Sequence, residues 1–177
     1  MSGLTFESLC SASSARLEEI VRTQPAPSLE AIVGWEFRGF NVAPAAEILR
    51  IRKFKKGFYA DARDASKLYG YNVRVVQNGR KRPWVPRLRD GQPLRHALFD
   101  VTPVDLGSED ARYPQSLLLD YGCGRNPIYD PSRLLRDYLV VADPDDPDLF
   151  VGKAYLAFGS LRVPGGYFIL ERYNRVA

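Results

Sequence analysis

The second half of the chain is a succession of short strand-like segments with no long helix between them. The strand candidates are residues 97–104, 116–121, 137–142, 152–158 and 166–173. Turn-rich stretches separate them at residues 107–110, 122–126, 143–148 and 163–166. Neighbouring parallel strands need crossover connections of about a dozen residues or more, so this short spacing favours antiparallel pairing. The pattern therefore predicts an antiparallel sheet closed into a β-barrel.

The first part of the chain predicts a helical segment that leads into the barrel. Residues 5–22 carry apolar side chains at helical spacing, and Ser28 is a suitable N-cap for a short helical turn over 29–33. Further strands are expected at 35–40, 54–59 and 68–76, a short helix at 44–52, and a hairpin that turns at Asn78-Gly79 and returns over 82–88. We therefore expect a mainly β (α+β) single domain over 1–177, with an N-terminal helical segment at 1–32 and the barrel at 33–177.

The residues that most often carry catalysis or bind metals are scarce, because the chain has one histidine, His96, and two cysteines, Cys10 and Cys123. A structural zinc site uses about four Cys or His ligands, and these three residues are far apart in the sequence. A nucleophile activated by histidine would have to use His96. We therefore predict no metal, assign no catalytic residue and do not favour an enzyme. No cofactor is predicted; haem is the alternative, ligated by His96, a cysteine or a tyrosine.

The N-terminus lacks the features of a secretory signal peptide, since Glu7 is acidic and residues 4–15 are too polar for its apolar core. No apolar run approaches the length of about 18 residues that a transmembrane helix needs. The expected location is cytoplasmic.

Several motifs resemble a bacterial and fungal family of unknown function that carries a Gly-x-Trp-x-x-x-Gly signature. The stretch Trp35-Glu36-Phe37-Arg38-Gly39 resembles that signature, with Gly34 one position later than its first glycine. The C-terminal half is similar to the family's companion domain, at residues 127–130, 136–137, 143, 152–153 and 167–172. The resemblance implies a lipocalin-like (calycin) barrel and brings no known reaction. In such barrels an arginine of the last strand packs on a tryptophan of the first, which here implies that Arg172 and Trp35 close one end.

Strand alternation divides the side chains of the last strands between two faces. If Arg172 points inward, Phe168 and Leu170 line the lumen with it, and Lys153 and Tyr155 of the preceding strand lie on the opposite face from Ala154. An eight-stranded barrel is either filled by side chains or holds one small ligand, and the sequence leaves both possibilities open. The candidate ligand-binding residues are Tyr121, Tyr155, Phe168, Leu170, Lys153 and His96.

Positive charge is concentrated in the middle of the chain, where residues 38–96 hold 15 Lys and Arg but only 4 Asp and Glu. A solvated basic surface explains this asymmetry, and so does a site for an anionic small molecule, a nucleic acid or a membrane surface. We expect a protein that binds a small, partly apolar, possibly anionic ligand in or at the mouth of the barrel. The alternatives are an enzyme that uses the same pocket and an anionic-polymer (nucleic acid) binder that uses the basic 50–95 region. Ligand identity and oligomeric state stay open.

Overall fold

A computed structural model describes residues 3–43, 45–48, 51–123 and 125–176. Its main feature is a closed barrel of eight antiparallel strands, which confirms the predicted mainly β fold and is consistent with a lipocalin-like (calycin) barrel. The helices are α1 (Phe6–Cys10), α2 (Ser14–Thr23), α3 (Leu29–Ile32) and α4 (Ala45–Ile48), with a 3₁₀ turn at Pro131–Leu134. The strands are β1 (Trp35–Asn41), β2 (Lys53–Ala60), β3 (Leu68–Arg74), β4 (Leu88–Arg89), β5 (Gln92–Pro93), β6 (Arg95–Pro103), β7 (Leu117–Asp120), β8 (Leu135–Asp143), β9 (Asp146–Phe158) and β10 (Leu161–Arg175).

The order of strands around the barrel is β1-β10-β9-β8-β7-β6-β3-β2, and β4 and β5 form a separate small hairpin. The connections β1–β2, β3–β6, β7–β8 and β9–β10 leave the barrel at one end, which we call the open end. The start of β1 and the end of β10 lie at the opposite, closed end, where Trp35 pairs with Arg175. Each inward-facing side chain can therefore be assigned a depth between the two ends.

The lumen near the closed end is filled by aromatic side chains. Phe37, Phe58, Phe99 and Phe150 are at most 1% exposed, and successive rings in this cluster have centroids 5.0–5.7 Å apart. Gly70 makes this packing possible, because a Cβ there would collide with the Phe99 ring. This half of the lumen is a packed core and not a ligand cavity.

The closed end is covered by α3 and by Arg172 of β10. The guanidinium carbon of Arg172 lies 4.5 Å from the centroid of the Trp35 ring. Arg172 also donates hydrogen bonds to Asp148 Oδ1 (2.6 Å) and to the carbonyl of Ala31 in α3 (2.9 Å). Gly34 turns the chain from α3 into β1 with φ = +77°, a conformation that favours glycine. One arginine thus connects three segments of the chain.

The N-terminal helices pack on the outer face of the barrel, where α1 contacts β10 and α2 contacts β8 and β9. The sequence predicted one helix over 5–22, but the structure has two, because Ser13 caps a new helix and accepts a hydrogen bond from the backbone N–H of Arg16 (3.2 Å). No helix of the described residues is long and apolar enough to cross a membrane. The buried apolar side chains of these two helices are Phe6, Leu9, Leu17, Ile20 and Val21.

The predicted helix over 44–52 is shorter in the structure, where α4 covers Ala45–Ile48. Pro44, which was expected to begin it, and residues 49–50 lie outside the described residues. The remaining part of the prediction, residues 51–52, is not helical.

The predicted hairpin with a return strand over 82–88 forms only in part. Val75 pairs with Pro86 in an isolated antiparallel bridge, and two backbone hydrogen bonds join residues 74–76 to residues 85–87. The residues between these pairs, 77–84, form a loop along the outer wall beside the open end, where Trp84 is 2% exposed and its Nε1 donates to the carbonyl of Gly39 (3.1 Å). Pro83 and Pro86 lack the N–H groups that a paired strand would donate. A second hairpin, β4–β5, turns at residues 90–91.

The predicted turn at 163–166 is wrong, because these residues lie within β10 and the chain reverses at residues 159–160. A bulge between Pro164 and Gly166 accommodates the Pro-Gly-Gly sequence inside the strand, and Gly166 has φ = +124°. The β9–β10 hairpin is therefore longer than the sequence predicted, and its tip lies at the open end.

Candidate functional site

A buried polar cluster lies in the lumen on the open-end side of the aromatic core. Oδ2 of Asp137 accepts hydrogen bonds from Nζ of Lys56 (3.1 Å) and from the hydroxyl of Tyr121 (2.8 Å). Lys56 also donates to the Tyr121 hydroxyl oxygen, and Nδ2 of Asn72 donates to the same oxygen (3.3 Å). The cluster therefore joins β2, β3, the end of β7 and β8 across the lumen.

The alternation of side chains along β2 places Lys56 inside the barrel. Phe54, Lys56 and Phe58 point inward, while Lys53 and Lys55 point outward. Asp137 faces inward for the same reason, because it pairs with Leu119 of β7 and Ala154 of β9, which pack with the lumen cluster. A one-residue change of register in either strand would move its charge to the outer face.

Aromatic rings surround the Lys56 ammonium. Its Nζ lies 4.6 Å from the ring centroid of Phe99, 5.1 Å from those of Phe168 and Tyr121, and 5.8 Å from that of Phe54. The negative faces of such rings attract a cation, most strongly where water is excluded. The rings and the Asp137 carboxylate together compensate for the removal of this charge from water.

Burial dominates the electrostatics of the cluster. It lowers the pKa of Lys56 below the usual lysine range, although the Asp137 carboxylate beside it acts in the opposite direction. Burial also raises the pKa of Tyr121 well above the usual tyrosine value, and the charge of Asp137 adds to this effect. Tyr121 therefore stays protonated at neutral pH, and its hydroxyl donates a hydrogen bond to Asp137.

Inward-facing side chains closer to the open end are only partly buried and form the mouth of the barrel. The side chains of the aromatic core, by contrast, are almost completely buried from solvent. The mouth is partly apolar and its floor is polar, because the Lys56 cluster lies directly beneath it. The partly exposed residues of the mouth are Phe54, Asn72, His96, Leu135, Ala154 and Leu156.

His96 lies on the rim of the mouth, paired with Asn72 across the β3–β6 ladder. Its Nδ1 is buried and has no hydrogen-bond partner among the described residues. Burial lowers the pKa of His96, and the positive charge of the nearby Arg74 lowers it further. His96 is therefore neutral at physiological pH.

The structure separates the predicted ligand-binding residues into two groups. Tyr121, Phe168 and Leu170 face the lumen and His96 lies at its mouth. Tyr155 and Lys153 lie on the outer face beneath α2, so the prediction that they contact a ligand in the lumen does not fit their position. Tyr155 forms a hydrogen bond with Tyr113 (hydroxyl oxygens 3.1 Å apart), and Lys153 forms an ion pair with Glu18 (3.6 Å).

Sequence reasoning missed Lys56, Asn72 and Asp137. Lys56 belongs to the basic stretch 38–96, for which a solvated surface was one interpretation, and Arg50 of the same stretch lies outside the described residues. The three lysines Lys53, Lys55 and Lys56 are each at most 5% exposed, so the solvated interpretation is wrong for them. The signal for Lys56 was present, because aromatic residues stand two positions before and after it on the same face of a strand.

A concave region lies on the outer wall beside the open end. Its volume is about 930 Å³. Six lysine and arginine residues line it, and no acidic residue among those described does so. The lining residues are Phe40, Arg52, Lys53, Val76, Gln77, Asn78, Gly79, Arg80, Lys81, Arg82 and Arg87.

Within the described residues, no group of three or more His, Cys, Asp or Glu side chains is arranged to hold a metal ion. The mouth combines apolar walls with the polar side chains of Asn72 and His96. Comparisons of the chain with protein-family models, with curated proteins and with solved structures find no match.

Proposed function

We propose that this chain is a lipocalin-like ligand-binding protein that holds a small, partly apolar, anionic molecule in the mouth of its barrel. One observation carries the proposal: the lumen is packed solid near the closed end, while its exposed apolar surface and its polar groups are collected at the open end. A ligand at this position would lie on Phe54, Leu135 and Leu156 and reach the polar floor at Asn72. Sites for small molecules commonly combine apolar walls with a few polar groups in this way.

The anionic character of the ligand follows from the charges around the mouth. The charge of Lys56 is already balanced by Asp137, so it adds little attraction for an anion. Arg74 pairs with Phe54 on the inward side of β3, is exposed, and lies close enough to His96 to lower its pKa. A carboxylate or phosphate at the mouth would meet the full positive charge of Arg74 beside the neutral ring of His96.

The experiment is a fluorescence titration with a dansyl-labelled medium-chain carboxylic acid. We expect saturable binding by the wild type. Ala154→Trp fills the mouth with an indole and should weaken binding by about tenfold or more, because it removes the apolar wall surface that the ligand contacts. Ala62→Trp is the matched control, since Ala62 is exposed in the β2–β3 loop at the closed end.

If Ala154→Trp and Ala62→Trp weaken binding equally, the ligand does not bind at the mouth. No saturable binding by the wild type would contradict the proposal directly. Arg74→Gln tests the anionic head: it should weaken the carboxylic acid but leave the corresponding dansyl alcohol unchanged.

A further inference from the structure

The four connections at the open end expose an unusual set of side chains. All four carry exposed large apolar residues: the β3–β6 connection has Val76, Val85 and Leu88 (39%, 47% and 62% exposed), and the other three carry two each. These are Ile48 (85% exposed) and Ile51 (50%) in β1–β2, Ile128 (87%) and Tyr129 (86%) in β7–β8, and Phe158 (50%) and Leu161 (61%) at the tip of β9–β10. Scattered apolar residues are ordinary on protein surfaces, but a ring of them around one end of a barrel marks an interaction surface.

The β3–β6 connection also supplies positive charge. Residues 75–94 contain five lysines and arginines and one acidic residue, Asp90. The four open-end connections together (residues 42–52, 75–94, 121–134 and 159–160) contain nine basic and three acidic residues. The apolar rim is therefore accompanied by a surplus of positive charge at the same end.

Hydrogen bonds and an ion pair fix the conformation of the β3–β6 connection, which we call the basic loop. Nζ of Lys53 donates to Asn78 Oδ1 (2.6 Å) and to the carbonyls of Gly79, Arg82 and Pro83 (2.9–3.1 Å). Arg80 forms an ion pair with Glu7 of α1 (2.7 Å). The exposed Lys81 and the rest of the loop are thus presented from a fixed backbone at the edge of the 930 Å³ basic region.

We propose that the open end of the barrel docks on an anionic lipid bilayer. In this orientation the isoleucine, tyrosine, phenylalanine and leucine side chains of the connections β1–β2, β7–β8 and β9–β10 enter the interfacial region, and the cations of the basic loop meet anionic headgroups. Peripheral membrane proteins bind by this combination of buried apolar area and electrostatic attraction. Tyr129 has the amphipathic ring that is enriched at such interfaces.

Charge complementarity favours a bilayer over the other occupants of this surface. A second copy of the chain would bring the same basic surface against itself in a two-fold symmetric contact, and like charges would repel. A nucleic acid would satisfy the cations but would leave the isolated isoleucines of the rim without an apolar partner. An anionic bilayer offers negatively charged headgroups to the cations and an apolar phase to the rim side chains.

The inference does not depend on the ligand proposed for the mouth, although the two are compatible. A mouth that faces a bilayer lies next to the phase into which amphipathic molecules partition. The two proposals fail separately, because ligand binding is measured without vesicles and docking is measured without added ligand.

The test is cosedimentation of the full chain with vesicles of phosphatidylcholine alone and of phosphatidylcholine with about 30 mol% phosphatidylserine. We expect binding to the anionic vesicles only, and weaker binding as salt is raised. The double variant Ile128→Ser/Tyr129→Ser should reduce the affinity by about tenfold or more, since it removes two inserted side chains. The matched control is Leu29→Ser/Leu106→Ser, which removes two exposed leucines outside the open-end connections (40% and 70% exposed).

All four substituted residues are exposed, so a thermal melt should show that both double variants stay folded. Absence of binding to the anionic vesicles would overturn the proposal, and so would an equal loss of binding in the control variant. A concentration-dependent dimer that Ile128→Ser/Tyr129→Ser abolishes would show instead that the rim joins two copies. Tighter binding to a single-stranded oligonucleotide than to vesicles, unaffected by that variant, would assign the surface to nucleic acid.

Discussion

At the scale of single residues, Lys56 has the largest influence on the character of the lumen. Its ammonium is buried with the Asp137 carboxylate, and neither side chain is more than 6% exposed. A buried ion pair is expensive to desolvate, and it persists when good geometry and additional hydrogen bonds offset that cost. Tyr121 supplies those bonds, because its hydroxyl accepts from Lys56 and donates to Asp137. The pair therefore marks the boundary between the packed core and the mouth.

This arrangement predicts a strongly non-additive mutational response. Asp137→Asn leaves the Lys56 ammonium without its counter-charge, and we expect it to lower the free energy of unfolding by about 3–5 kcal/mol. Lys56→Met/Asp137→Asn removes the unbalanced charge and keeps an acceptor for Tyr121, so it should recover more than half of that loss. Urea denaturation of Lys56→Met, Asp137→Asn and the double variant measures the coupling free energy between the two residues. A cost below about 1 kcal/mol for Asp137→Asn would mean that the charge of Lys56 is not buried as described.

At the scale of elements, the closed end depends on contacts between α3, β1 and β10. Arg172 stacks on Trp35 and binds both Asp148 and the carbonyl of Ala31. The guanidinium carbon of Arg175 lies 3.7 Å from the centroid of the same Trp35 ring, but the Arg175 side chain is exposed. The two arginines thus make similar ring contacts with very different degrees of burial.

We expect Arg172→Ala to lower the free energy of unfolding by about 2 kcal/mol, because it removes a partly desolvated cation–π contact and two hydrogen bonds. The melting temperature should fall by about 4–8 °C. Arg175→Ala is the matched control and should change it far less. An unchanged melting temperature for Arg172→Ala, or equal losses in the two variants, would contradict the assigned role of Arg172 in closing the barrel.

The same elements show why some boundaries were predictable and others were not. Regular alternation identified β1 and the C-terminal strands, and Ser28 identified the start of α3. The turn at 163–166 was mispredicted because a bulge inside a long hairpin uses the same Pro and Gly residues as a turn. The hairpin at 78–88 forms only a short stretch of pairing because its loop is held by Lys53 and Trp84, through contacts that only the folded barrel creates.

At the scale of the whole molecule, the two ends of the barrel have opposite characters. The closed end is packed and capped by a helix and an arginine, whereas the open end has a partly exposed mouth, an apolar rim and a basic loop. The sequence indicated the lumen-facing residues of the last strands and the local surplus of positive charge. The aromatic residues two positions before and after Lys56 were a signal for that residue, but its partners Tyr121 and Asp137 become evident only when the registers of β2, β7 and β8 are combined.

The central claim is that a small anionic, partly apolar molecule binds at the mouth of the barrel. It is tested most directly by two-dimensional ¹H–¹⁵N NMR spectra of the protein titrated with the dansyl-labelled carboxylic acid. We predict that the largest chemical-shift changes fall on Arg74, His96, Ala154 and Leu156 at the open end, while Ala31 and Leu68 at the closed end change little. Changes concentrated at the closed end or on the outer face beneath α2, with the mouth unaffected, would contradict the claim.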